Sequence, residues 1–365
     1  MGIGIVDRAR TTLAEAIRSR VAGPNRQERA DLIWRSAGER WFGNDDPIAV
    51  VNGNPTMYIG GIRALLLQSL HPLAMAGVAG HSGYQDDPWG RLQRTADYIA
   101  TTTFAPIEHA EKMIARVRKI HTYITGTLPD GRPYAASDPH LLLWVHCAEI
   151  ESFLVAYQQF GPTTLTPEQA DTYVAQTAVS ARLLGVVDPP TTVDELYATL
   201  ASYGPELEFS ESTQDVVDLL IHNPPLDPPM KWGYDMLKFG AIAILPASAR
   251  ELLGLPASDV GDALVRRPIT SIGMTGLRWS LGAVRLSGAV GTGELPDIDT
   301  AIDAMVHTHG FIEPDMDNHK IYTEYFEVFR NAFVALMDHN VYNDLADVND
   351  RVAGILSEAD GGESD

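Results

Sequence analysis

The stretch DPHLLLWVHCAEIESFLVAYQQF, residues 138–160, decides the fold. Asp138 offers a side-chain acceptor at an N-cap, and Pro139 takes the first helical position, where its missing N–H leaves no bond unmade. Leu142, Ile150, Phe153 and Tyr157 then recur at helical spacing, and Gly161-Pro162 closes the run. The pattern predicts a long helix built into a core. His146 lies on the same stripe, four residues from both Leu142 and Ile150, so it points inward. An inward histidine is either a hydrogen-bonded core residue or a ligand to something bound there. Glu149, three residues on, or the carbonyl of Leu142 can accept its second ring N–H and set the tautomer; Glu149 also reads as a helix-surface carboxylate. Cys147 is turned about 100° from His146, so the two make no catalytic pair, and it reads as a small buried residue.

Outward from this helix, the same punctuation recurs. Asp87-Pro88 and Thr166-Pro167-Glu168 are further helix starts, while alternating strand-like runs bounded by turns are hard to find. A Gly-rich stretch from Leu286 to Pro296 separates a main body, residues 1–285, from an acidic helical extension, 286–365. The expected architecture is all-α: one large helical domain with a C-terminal helical extension packed on it. With 365 residues, 45% of them hydrophobic, the chain can bury a substantial core. Its single cysteine excludes an internal disulfide, a Cys-based zinc site and an iron–sulfur cluster, and fits a reducing, cytoplasmic compartment. Residues 1–22 interleave charges with apolar positions and read as an amphipathic helix rather than a secretory signal. No apolar run approaches the ~18 residues of a membrane span. The net charge is −21, and residues 291–365 hold 17 Asp and Glu against 3 Lys and Arg, which makes nucleic acid and anionic membrane poor partners.

Two further segments carry chemistry. In HPLAMAGVAGHS, residues 71–82, two histidines bracket small residues that let either a second helix or a flat ligand approach the backbone closely. His71, followed by Pro72, reads as structural. Arg91, Arg94, Thr95 and Tyr98 then fall at i, i+3, i+4 and i+7, on one helix face. That face is either solvated or lines a pocket, where two guanidiniums and a hydroxyl suit carboxylates or charge developing on bound oxygen. The chain lacks H-E-x-x-H, a P-loop, G-x-G-x-x-G and G-x-S-x-G, and no histidine follows a glutamate by three positions as di-iron bundles require.

Taken together, HPLAMAGVAGHSGYQDDPWGRLQRT (71–95), DGRPYAASDP (130–139) running into LLLWVHCAEIESFLVAYQQFG (141–161), and ARLLGV (181–186) resemble the oxygenase family that includes latex-clearing protein and MpaB. The resemblance covers about Asn54 to Gly185. It implies a globin-like helical core holding haem b and oxygen-dependent chemistry, which in known members cleaves carbon–carbon double bonds of isoprenoid chains. It makes His146 the proximal iron ligand, a role that needs a neutral imidazole. Arg91, Arg94 and Thr95 match the family's R-x-x-[KR]-T element on the distal side. Arg94 and Thr95 then stabilise charge on bound oxygen, Arg91 meets a haem propionate, and His81 is the candidate proton-transfer group beside its structural reading. Latex-clearing protein has lysine where Arg94 stands, and a guanidinium, unlike an amine, does not give up its proton to coordinate iron. That departure argues against rubber cleavage and for a smaller intracellular substrate, unsaturated or isoprenoid-like, oxidised with O₂ or a peroxide. A haem- or small-ligand-binding protein without turnover, a sensor or carrier, is the alternative.

Overall fold

The computed structural model describes residues 31–81, 88–226 and 228–256, with scattered positions between 262 and 277. All lie within one compact unit that ends at Gly288. The acidic extension expected over 286–365, the N-terminal amphipathic helix and Asp87 lie outside the described residues.

The architecture is all-α. A π-helical turn, Asp31–Arg35, precedes helices α1 (Pro47–Asn52), α2 (Met57–Ser69), α3 (Pro72–His81), α4 (Pro88–Phe104) and α5 (Ile107–His121). A short antiparallel hairpin follows, β1 (Thr125–Thr127) and β2 (Pro133–Ala135), with Thr125 opposite Ala135 and Thr127 opposite Pro133. Then come α6 (Pro139–Phe160), α7 (Pro167–Leu184), α8 (Val193–Ser202), a 3-10 turn (Gly204–Glu206), α9 (Glu211–Val217), a π-helical turn (Asp218–His222), α10 (Pro228–Ala243) and α11 (Ala247–Leu252). The hairpin is too short to produce an alternating apolar pattern, so nothing in the periodicity announced it.

The helix starts obey local rules. The Asp138 carboxylate accepts the His140 N–H at 2.9 Å, and Thr166 and Gln169 form a reciprocal capping box ahead of α7. Gly185 ends α7 at φ +117°, a left-handed geometry that a side chain would strain.

Helix α6 is the axis of the unit. Its Leu141, Trp144, Cys147, Ile150, Phe153 and Tyr157 are all buried, although they point in different directions around it. Helix α2 runs against it most extensively, while α4 packs chiefly on α5 and α1. The α2–α6 approach is close enough that a Cβ on Gly60 would stand 2.6 Å from Phe153 Cδ1 and 3.0 Å from the Ser152 carbonyl. One side of α6 buries Trp144, Ala148 and Ala156 among Ile59, Leu66 and Leu70 of the α2 region and Ile242 of α10. The other buries Cys147, Ile150 and Tyr157 among Val51, Tyr173, Val174 and Leu196.

Across this core runs a buried ion pair. Arg63 of α2 is 1% exposed. Its Nη1 donates to Glu151 Oε2, its Nη2 to Glu151 Oε1 at 2.9 Å, its Nη1 also to Ser152 Oγ at 2.7 Å and its Nε to the Ile244 carbonyl at 2.9 Å. The guanidinium thereby joins α2, α6 and the chain leaving α10. With both charges hydrogen-bonded, the pair escapes the penalty of an unpaired buried ion.

Candidate functional site

His146 and Glu149 occupy one face of α6, one turn apart. Both keep part of their surface accessible, yet protein surrounds them closely enough that burial holds the imidazole's pKa down at about 4 and pushes the carboxyl up to about 7. Desolvation by the surrounding protein disfavours the charged form of each side chain. His146 Nε2 is buried and has no hydrogen-bond partner. No hydrogen bond joins the ring to Glu149 or to the Leu142 carbonyl, the two acceptors that the helix spacing offered. A buried ring nitrogen left without a partner costs about 1–3 kcal/mol. A neutral imidazole with an unused nitrogen is also what an iron ligand requires, so His146 is chemically suited to hold a haem iron.

The Glu149 carboxyl also acts electrostatically on two tyrosines. Burial, and after it the Glu149 carboxylate, raise the pKa of Tyr98 on α4. Tyr173 on α7 is raised by burial and then by Glu149 and Glu151, and its hydroxyl donates to the Ile150 carbonyl at 3.2 Å. Both therefore remain protonated phenols. Burial also pushes the Cys147 thiol up to about 12, which keeps it an unreactive thiol.

The polar stripe of α4 runs from this interior outward. Tyr98 is half-buried at the Glu149 end, Arg91 is half-buried, and Arg94 and Thr95 are exposed. The Thr95 hydroxyl donates to the Arg91 carbonyl at 3.2 Å, so its proton is engaged within the helix. The face that the resemblance puts on the distal side is thus a mixed one, exposed at Arg94 and Thr95 and half-buried at Arg91 and Tyr98. His81 ends α3, and its side chain lies outside the described residues.

A second cluster escaped the sequence reading. His71, at the α2–α3 junction, is 1% exposed, and its Nε2 lies 3.3 Å from Glu206 Oε2. His140, in the first turn of α6, brings its Nε2 to 2.9 and 3.0 Å from the two oxygens of the same carboxylate. Burial lowers the pKa of His71. His71 thus has a polar role beyond the structural one that Pro72 suggested. The residues are scattered at 71, 140 and 206, a spacing with no motif in it; only the bracketing histidines of residues 71–82 drew attention to one of them.

Two surface grooves are evident among the described residues. One is lined by Leu154, Val155, Gln158 and Tyr197, the other by Arg182, Asp188 and Glu195, and neither includes His146. Among the described residues no helix is long and apolar enough to cross a membrane.

A family model described as "ER-bound oxygenase mpaB/B'/Rubber oxygenase, catalytic domain" matches residues 49–279, which include His146, Glu149 and the His71 cluster. Searches among curated proteins and among solved structures give no match.

Proposed function

Because the chain belongs to the family of ER-bound oxygenase mpaB/B' and rubber oxygenase catalytic domains, we propose that it is a haem b-dependent oxygenase acting on a small intracellular organic substrate, unsaturated or isoprenoid-like. The observation that carries the reading is His146 Nε2, a buried ring nitrogen without a partner, on an imidazole that burial keeps neutral. It stands on the central helix of the matched region. When bound there, haem would supply the oxidising chemistry with O₂ or a peroxide.

The chain's own residues supply the rest. His146 would hold the iron through a nitrogen that needs no deprotonation at neutral pH. Glu149, its pKa pushed up to about 7 by burial, is poised to keep or release a proton one turn from His146. Arg91 would pair with a haem propionate. Arg94 and Thr95 would donate toward negative charge on the oxidant, which requires these exposed side chains to turn toward it and the Thr95 hydroxyl to leave the Arg91 carbonyl. His81 is the proton-transfer candidate from α3. The catalytic unit is residues 1–285, with 286–365 an acidic extension.

The test is spectroscopic. Full-length protein produced with iron and a haem precursor shows a Soret band, His146→Ala loses it, and added imidazole restores it in that variant. A wild-type protein without a Soret band, or a His146→Ala spectrum identical to wild type, overturns the assignment. Oxygen uptake dependent on an unsaturated substrate then separates an oxygenase from a carrier.

A further inference from the structure

We propose that His71, His140 and Glu206 form a second site, independent of His146, that binds one divalent first-row transition metal ion of the zinc type. Two imidazole nitrogens and a carboxylate, all within 4.8 Å of one another, are a donor set that suits zinc and its neighbours. A metal with ligand bonds of about 2.0–2.1 Å holds tetrahedral donors about 3.3–3.4 Å apart. The His71 Nε2 to Glu206 Oε2 distance is 3.3 Å, and the His140 Nε2 contacts at 2.9 and 3.0 Å need to open only by a few tenths of an ångström. His71 is buried while His140 and Glu206 are exposed, so the cluster has a fixed floor and an open side where water completes the coordination.

The hydrogen bonding around His140 strengthens the case. The Tyr203 hydroxyl donates to the His140 carbonyl at 2.8 Å, so its oxygen, 3.3 Å from His140 Nδ1, can only accept there. That places the imidazole proton on Nδ1 and turns the Nε2 lone pair toward the Glu206 carboxylate. A lone pair cannot face a carboxylate at about 3 Å without a cation between them, either a proton or a metal ion. Tyr203 thus plays the orienting part that ligating histidines regularly receive from a neighbour. The three donors come from the α2–α3 junction, the first turn of α6 and the turn after α8, so an ion here ties together segments remote in sequence. Helix α6 rises about 9 Å between His140 and His146, which separates this site from the proposed haem ligand.

The experiment is zinc titration of untagged, chelator-stripped, full-length protein, followed by calorimetry and by thermal melting. The expected result is one zinc ion per chain and a rise in Tm of about 3–6 °C at saturation. Glu206→Gln and His140→Ala, both at exposed positions, weaken zinc binding at least tenfold while their metal-free Tm stays close to wild type. Tyr203→Phe weakens it about 10-fold to 100-fold, an effect on affinity that a purely structural tyrosine would not produce. His146→Ala keeps full zinc stoichiometry, so loss of haem and loss of zinc are told apart. No zinc binding by the wild type, or binding unchanged in Glu206→Gln, overturns the site and leaves a proton as the cation between His140 and Glu206.

Discussion

His146 and Glu149 stand one turn apart on the same face of α6, both embedded, with no hydrogen bond between them. Burial displaces their pKa values in opposite directions, the imidazole from 6.5 to about 4 and the carboxyl from 4.5 to about 7. The stability His146 contributes is present above pH 6.5 and lost as pH falls through about 4. That of Glu149 is present below pH 4.5 and lost as pH rises through about 7. Between these limits the two slopes oppose each other. In haem-free protein, Glu149→Gln therefore exposes a stability that climbs with pH from about 4.5 to 6.5, and His146→Ala one that declines, each by up to ~1.4 kcal/mol per pH unit. Urea unfolding across that range checks it; parallel profiles for wild type and both variants would contradict the opposed titrations.

Arg63 and Glu151 are the most exposed to single-site damage because each is the other's only buried counter-charge in the described core. Arg63→Ala or Glu151→Ala should each destabilise by about 3–5 kcal/mol, whereas replacing both with apolar residues of similar volume should recover much of that loss. Chemical denaturation of the two single variants and the double variant tests the coupling; additive losses would show that the ions act independently.

Gly60 is required by the α2–α6 approach. Gly60→Ala drives a methyl into Phe153 and the Ser152 carbonyl and should cost about 1–3 kcal/mol, typical of overpacking. Trimming the ring with Phe153→Leu in the same chain relieves the clash with Phe153 but not with the Ser152 carbonyl, so the denaturation midpoint should return only in part.

Cys147 should ignore thiol reagents in the native protein. It is fully buried, and its thiol is held far from ionisation. Reaction with a chromogenic disulfide should follow the rate of global unfolding and speed up with denaturant; rapid labelling in buffer would disprove this.

Arg94 is exposed, so Arg94→Ala should fold normally and retain the Soret band, while turnover falls by about 10²–10³ if the guanidinium stabilises charge at the oxidant. Steady-state oxygen uptake by a haem-loaded variant decides it, and unchanged kcat/KM would remove Arg94 from the reaction.

Much of the helical frame could be read directly from residue order. The Asp138 cap, the Thr166 capping box and the inward stripe through Leu142, Ile150 and Tyr157 all depend on neighbours within a turn or two, and the structure has each of them. The resemblance to an oxygenase family likewise rested on ordered segments, and the family match over residues 49–279 bears it out.

What residue order could not decide is which way a shared face looks once helices pack. Arg91, Arg94, Thr95 and Tyr98 fall on one face of α4 as the spacing predicts, but only the packing brought Tyr98 under the influence of Glu149 and left Arg94 and Thr95 exposed. Neither of the two acceptors offered for the second ring N–H of His146, Glu149 or the Leu142 carbonyl, is hydrogen-bonded to the ring, and Nε2 has no partner. Arg63 meeting Glu151, and His71 meeting His140 and Glu206, join residues tens of positions apart. Helix spacing determines which side chains share a face; the distances between faces are set by how whole helices close on one another. The sequence by itself therefore determined the helices and placed His146 inward, and tertiary packing alone determined that its ring nitrogen has no partner and that a second histidine pair shares one carboxylate.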